Sequence, residues 1–373
     1  MADKCFSLPD DALVGILQRL PVSAQRRLRL VCRRWRDVVD ERAPEQRRLR
    51  AKALAFFSKR GESRAIVFDD TGPAGRRARD WTFRSPRGIV GVVHMVGTCN
   101  GLLCLHETAP FGDGRVSVVT VANPITGEKQ VLPPPVPKTA SDAHGLYCFG
   151  YHPTTGQYKV VHVRPELDAV QVFTLGGTSW REVPVLAAGA TTCNRSSGVV
   201  TVDGTTYWLT ARTDRVVALD LKDESVTSFD APPAVRPIKT PPQAACHLTN
   251  VQARLGVAVT WYGLTATRVE VWVLDGGRQR PRWSRRYSIV EPTGRDQGRW
   301  ITAPHFTHGE YVLKRYAVSG WLYRGKVGDL IEDNKKNNQL IKEAKLILNE
   351  RIYGGLTTFA YVETREPLPS ING

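Results

Sequence analysis

The 373-residue sequence predicts a small all-α module of three short helices, followed by an all-β, propeller-like domain of about six irregular blades. Three observations carry this reading. Apolar residues recur at helical spacing in the first forty residues. Beyond residue 60 the texture changes to short β-branched and aromatic runs broken by Gly and Pro, and one strand-like element returns about every fifty residues. The expected organisation is a helical module over 1–45, a connector helix or linker over 46–60, and the propeller over 61–373.

Leu13, Ile16, Leu17 and Leu20 stand at i, i+3, i+4 and i+7, one face of a first helix. Pro9 suits its first turn, and Asp10 and Asp11 favour the positive end of the helix dipole. Leu20-Pro21 stops it, because a residue before proline is pushed out of the α region. Ser23 is the expected N-cap of a second helix through Leu28 and Leu30, and a third carries Val31, Trp35, Val38 and Val39. Three such helices make too small a core to stand alone. Leu8, Pro9, Leu13, Ile16, Leu17, Leu20, Pro21, Leu28, Val31 and Trp35 cannot all face inwards, so some must meet another surface. Burying four or five of them is worth about 1.5–3 kcal/mol each, which survives the cost of association.

The pairs Leu8-Pro9, Ile16-Leu17 and Leu20-Pro21, followed by Val31-Cys32-Arg33-Arg34-Trp35, are similar in order and spacing to the F-box. That resemblance implies docking on a Skp-type adaptor and, through it, on the cullin and RING subunits of an SCF ubiquitin ligase. The ten residues just named are its implied adaptor-binding set.

Composition agrees with a folded chain: apolar residues make up 42% and charged residues 24%. No signal peptide and no membrane-length apolar run is expected. Seven cysteines without regular spacing argue against a disulfide framework, hence for a reducing compartment, cytosol or nucleus or both. The net charge of +16 is concentrated: residues 19–60 hold fourteen Lys/Arg against four Asp/Glu. Such a run fits nucleic acid or an acidic protein. Because the adaptor is acidic in the F-box family, the protein partner is preferred.

After a basic stretch over 41–60 that turns apolar at Leu54, Phe56 and Phe57, two elements alternate. One is a glycine-led strand: Gly101–Leu105, Gly156–Val161, Gly204–Leu209, Gly309–Leu313 and a weaker Leu255–Val259. The other is Val-rich and starts near 65, 118, 170, 216, 269 and 320. The interval is that of a four-stranded propeller blade, which a β-sandwich would not produce. Gly176-Gly177 before Trp180, and Gly276-Gly277 before Trp283, read as tight turns followed by a tryptophan packed between blades. Residues 328–350, rich in Asn and Lys, depart from the pattern; a loop and helix or a strand pair would both fit.

Cys99-Asn-Gly-Leu-Leu-Cys-Leu105, Asn123-Pro124-x-Thr126-Gly127-Glu128 and Phe149–Val161 resemble the F-box-associated, kelch-like domain of plant F-box proteins. Ser179-Trp-Arg181, Val202-Asp-Gly204, Val271-Trp272 and Phe359–Thr364 follow in the same order. The resemblance implies a receptor that holds an unidentified target protein on one propeller face, without cofactor, metal or catalysis of its own.

Candidate chemistry is thin. Cys99, Cys104 and His106 lack an evident fourth ligand, and Cys104 lies in an apolar strand, which favours a core role. His144, His152 and His162 have no partnered nucleophile motif. Neither glycine pair precedes the Lys-Ser/Thr of a phosphate loop. Two alternatives stay open here: a propeller lectin, or a nucleic-acid-binding protein, either with a merely structural helical head.

Overall fold

Short β-branched and aromatic runs pair into six four-stranded antiparallel sheets. The computed structural model describes residues 8–17, 19–39, 51–68, 77–85, 91–111, 114–135, 145–164, 169–185, 193–212, 214–235, 244–263, 266–275, 281–292, 305–308, 311–315, 322–326, 345–348 and 355–369. Three helices come first, α1 (Asp10–Leu17), α2 (Val22–Leu28) and α3 (Arg33–Asp37). Blade 1 holds β1 (Lys52–Ser58), β2 (Glu62–Phe68) and β3 (Arg77–Arg84). Blade 2 is β4 (Val92–Cys99), β5 (Leu102–Phe111), β6 (Gly114–Ala122) and β7 (Lys129–Val131). Blade 3 is β8 (Leu146–His152), β9 (Gln157–Val163), β10 (Ala169–Thr174) and β11 (Arg181–Pro184). Blade 4 is β12 (Val199–Val202), β13 (Thr205–Leu209), β14 (Arg215–Asp220) and β15 (Val226–Asp230). Blade 5 is β16 (Ala244–Val251), β17 (Arg254–Tyr262), β18 (Ala266–Asp275) and β19 (Arg282–Pro292). Blade 6 is β20 (His305–His308), β21 (Tyr311–Arg315), β22 (Leu322–Lys326) and β23 (Lys345–Leu348).

The last strand, β24 (Gly355–Tyr361), returns to blade 1 and pairs with β1 in the register Leu54↔Phe359. It takes the first position of that sheet, so the blade joins both ends of the domain. The first strands β4, β8, β12, β16, β20 and β24 touch in succession, and β24 touches β4, which closes a six-bladed ring. Among the described residues, the Val-rich copies near 65, 118, 170, 216 and 269 are each the third strand of a blade, β22 takes that position after 320, and the glycine-led copies lie in second strands. The six-blade expectation from the fifty-residue interval therefore holds strand by strand.

Sheets bury both faces against their neighbours. Val161 and Val172 of blade 3 join Trp208 and Leu219 of blade 4 in one buried cluster, and Leu209 and Val216 of blade 4 join Val257 and Val259 of blade 5 in another. The two tryptophans do equivalent jobs. Trp180 Nε1 donates to the Pro133 carbonyl at 2.7 Å, and Trp283 Nε1 donates to the Asp230 carbonyl at 2.9 Å. Each ties the outer part of its blade to the end of the preceding one.

One boundary moves. Residues 52–58 are strand β1, so the propeller begins before residue 61, and only a part of the expected 46–60 connector is available to link the domains. Residues 46–50 lie outside the described residues, as does most of 328–350, whose described piece is strand β23.

A buried ion pair crosses from blade 3 to blade 4. Lys159 Nζ lies 2.7 Å from Glu224 Oε1, which also accepts from Arg181 Nη2 at 2.5 Å. Removing the carboxylate leaves the buried ammonium without its partner. Glu224→Ala is expected to cost about 3 kcal/mol, and adding Lys159→Met to recover a large part of it, because the pair together is worth far less than either half alone is harmful. Denaturant titration of both variants checks this; equal loss in the two would sink it.

Histidines add a pH dependence. His106 donates or accepts at Ser117 Oγ, 2.6 Å away, and Tyr147 lies between the rings of His106 and His162, its centroid 4.5 and 4.4 Å from theirs. Burial, with His94 and His162 nearby, lowers the His106 pKa to about 4, and burial lowers that of His94 as well. An unfolded histidine takes up its proton near pH 6.5, whereas folded His106 refuses it until about pH 4. Stability is thus complete above pH 6.5 and falls as pH drops through that window, by about 2 kcal/mol from this group at pH 5. Melting temperatures between pH 7.5 and 5 should fall, and His106→Gln should flatten the slope. An unchanged slope in the variant would assign the effect elsewhere.

Candidate adaptor-docking surface

The helical head divides its apolar residues into two sets. Leu13, Val14 and Leu17 of α1 bury against Val38 and Val39, with Leu28 and Trp35 packed on that cluster. The second set points outwards: Leu8 is 38% exposed, Ile16 41%, Leu30 83% and Val31 59%. Among the described residues only one other large hydrophobic, Val131, is so exposed, so the described outward apolar surface is concentrated on the head. Pro9 is also exposed, and Leu20 and Pro21 are half-buried between the sets. Of the ten residues implied as adaptor-binding, Leu8, Pro9, Ile16 and Val31 are thus exposed, whereas Leu13, Leu17, Leu28 and Trp35 build the small core of the head.

Three local features differ from the sequence expectation. Helix α2 starts at Val22, so Ser23 lies inside its first turn and is not its cap. Helix α3 starts at Arg33 with Cys32 in extended conformation ahead of it, which leaves Val31 in the preceding turn and off the helix. Leu30, beside it, is the most exposed large apolar residue among the described residues of the head, and is not in the implied set. Two adjacent apolar residues in a turn are the signal that marks it.

Polar side chains hold this surface in shape. Arg34 Nε and Nη2 donate to Asp10 Oδ1 at 2.9 and 2.8 Å, and Nη2 also reaches the Leu8 carbonyl. That clamp fixes the Leu8-Pro9 arm against α3. Gln25, buried, donates through Nε2 to the carbonyls of Leu17 at 2.6 Å and Leu20 at 3.0 Å, satisfying the end of α1.

The head is tied to the ring by the segment after β24. The buried Glu366 carboxylate accepts from Ser23 N at 3.2 Å through each oxygen. The backbone of that segment is gripped by blade 2: Asn123 Nδ2 donates to the Glu366 carbonyl at 2.7 Å, and Leu368 N donates to Glu128 Oε2 at 3.2 Å. Asn123 Oδ1 meanwhile accepts from Ile125 N at 2.8 Å, and Gly127 takes φ +80° in the same turn. Gly101, also at φ +80°, leaves room for the segment; a Cβ there would stand 2.7 Å from the Val362 carbonyl oxygen. The Asn-Gly and Asn-Pro-x-Thr-Gly-Glu motifs are therefore the seat of a C-terminal strap.

The described histidine and cysteine candidates sit in the walls of the ring. Cys104 is fully buried in the cluster between blades 2 and 3, and burial raises its thiol pKa. Burial likewise pushes Cys148 to about 11, and Cys193 and Cys246 to about 12, so these thiols are packing groups near neutral pH. His162 Nδ1 donates to Gln171 Oε1, 3.1 Å away, and His152 Nδ1 accepts from Thr155 N at 3.2 Å; His144 is outside the described residues. No group of three or more potential metal ligands occurs among the described residues.

Comparison with known proteins agrees with this division into head and ring. Residues 5–45 match the F-box domain, and residues 56–323 match the F-box-associated β-propeller domain. An F-box/LRR-repeat protein of Arabidopsis thaliana is 26% identical over 326 residues, covering 78% of this chain and 70% of that protein. An F-box protein of the same plant is 26% identical over 323 residues, covering 76% and 72% respectively. Among solved structures, Hsv2 of Kluyveromyces lactis aligns over 66% of this chain and 72% of its own with 12% identity and a TM-score of 0.33, a likeness too slight to carry an argument. With one match spanning the helical head and the other most of the ring, the chain belongs to the F-box proteins that carry an F-box-associated β-propeller domain.

Proposed function

We propose that this F-box protein is a non-catalytic substrate-receptor subunit of an SCF ubiquitin ligase. Its head would bind the Skp-type adaptor, and its ring would hold a target protein. The observation that carries the reading is the outward apolar set Leu8, Ile16, Leu30 and Val31, held over a separate small core that already accounts for the fold of the head. The chain supplies no acid, base or nucleophile to the transfer. Its contribution is proximity, raising the effective concentration of target lysines at a thioester held by other subunits. We further propose that it works in the cytosol or nucleus, a compartment suited to its free cysteines.

Co-purification of the full chain with the Skp-type adaptor tests the reading. Stoichiometric capture at physiological salt is expected, lost in Leu8→Ala/Pro9→Ala. An adaptor held only at low salt would point to the basic surface instead of the apolar one. No capture by the folded chain would overturn the receptor reading and return the lectin and nucleic-acid readings.

A further inference from the structure

The run Arg278, Arg280, Arg282, Arg285, Arg286 contains five arginines and no intervening carboxylate, and nothing in adaptor binding uses it. Its described part opens β19, the outermost strand of blade 5. At 11 residues β19 is longer than the other outermost strands, which have 8 in β3, 3 in β7, 4 in β11, 5 in β15 and 4 in β23. It pairs with β18 on one side, and along its other side the backbone from Arg282 to Arg286 meets no partner among the described residues. A long free edge is a place where another extended chain can add.

The arginines on this edge differ from those of β3, the next longest outer strand. On β3 each is committed to a carboxylate: Arg77 to Asp80, Arg79 to Glu363 and Arg84 to Glu62. On β19, Arg285 reaches Glu270 at 3.2 Å, but Arg282 and Arg286 are exposed and have no ion pair among the described residues. The register passes from Trp272↔Arg285 to Val271↔Tyr287, so Arg286 is the extra residue of a bulge. Cations on an edge keep a second copy of the same strand away. The same cations admit a strand of opposite charge.

We propose that the outer edge of blade 5 is a docking strand for an extended acidic segment of a target protein. The segment would pair with the β19 backbone and set its carboxylates against Arg282 and Arg286. This rests on the receptor reading and places a target contact on the rim of the ring. A nucleic acid could meet the arginines but could not satisfy the strand's backbone groups, so a polypeptide is the better fit.

The test uses the full chain, its adaptor capture scored in the same preparation. The probe is a fluorescein-labelled decapeptide of alternating Glu and Val, followed by anisotropy at physiological salt. Binding is expected, with none for the Lys-Val counterpart. Arg282→Glu/Arg286→Glu should weaken it about tenfold or more while melting temperature and adaptor capture stay unchanged, since neither side chain supports the fold. N-methylation of every second peptide nitrogen should weaken it about fivefold or more, which charge attraction alone would not do. Absence of Glu-Val binding, or equal binding by the N-methylated peptide or by the variant, overturns the proposal. So does tighter, arginine-dependent binding of single-stranded oligo-dT, which would make this a nucleic-acid surface. If the adaptor is retained and the peptide is not bound, the docking strand alone falls. If the adaptor is not retained, the receptor reading falls, and the peptide result still decides whether the edge accepts an acidic strand.

Discussion

Ile16→Asp/Val31→Asp is expected to abolish capture of the Skp-type adaptor while the protein melts at its wild-type temperature. Both side chains are exposed in the free chain, Ile16 41% and Val31 59%, so their replacement removes little from the fold; surface changes of this kind are usually within about 0.5 kcal/mol. In a complex they would be covered. Each would then forfeit about 1.5–3 kcal/mol of apolar burial and add an ion without a partner, which together weaken binding by about a hundredfold or more. Leu17→Ala should behave in the opposite way. Leu17 is fully buried among Leu13, Val14, Val38 and Val39, so its truncation costs about 2–5 kcal/mol of stability in the head and affects the adaptor only through that loss. Calorimetric titration with the adaptor, beside thermal melts of each variant, separates the two. Wild-type affinity in the aspartate variant would mean that the outward apolar set is not the docking surface.

That division between covering and covered residues was not visible in the spacing. An i, i+3, i+4, i+7 stripe marks which residues leave water and says nothing about whose surface covers them; Ile16 and Leu17 are neighbours in one motif with opposite fates. The ring was far more legible. A strand buried on both faces favours β-branched residues throughout, so the third strands of blades 2 to 5 carry a Val-rich trace at a near-constant interval. The same physics hid the start of the propeller: after Lys52 the whole of β1 is buried, so it lacks the alternation that marks β3. The strap leaves no local trace in the sequence for a different reason. Ser23 and Glu366 are 343 residues apart, and their contact exists only because β24 closes the ring beside blade 2. A lone glutamate in a C-terminal segment carries no local sign of such a role. The motifs that receive it, Asn100-Gly101 and Asn123 to Glu128, read as family patterns in sequence, and their role lies in the segment they hold across the fold.

The strap leads to the other large expected effect. Glu366→Ala should leave adaptor affinity and ring stability near wild type while loosening the head against the ring. Its carboxylate joins the first turn of α2 to the far end of the chain, and its own carbonyl is held by Asn123 in blade 2, so one residue carries both halves of the link. Removing the side chain cuts the head side and leaves Ser23 N without that acceptor. Removing the Asn123 amide weakens the ring side, which keeps the bond from Leu368 N to Glu128, and also disturbs its own turn, so Asn123→Ala should act in the same direction with an added loss of stability. Because both variants weaken the same connection, their effects should be less than additive in the double variant. The readout is the distance distribution between a spin label on α3 and another on blade 4, narrow in the wild type and broader in each variant. If the chain is the receptor proposed here, ubiquitin transfer to a bound target should fall with the broadening, although adaptor and target are each still bound. An unchanged distribution in Glu366→Ala would show that the head is positioned by other contacts. A lost affinity for the adaptor would show that Glu366 supports the docking surface itself, and that positioning and docking are one structure in this protein.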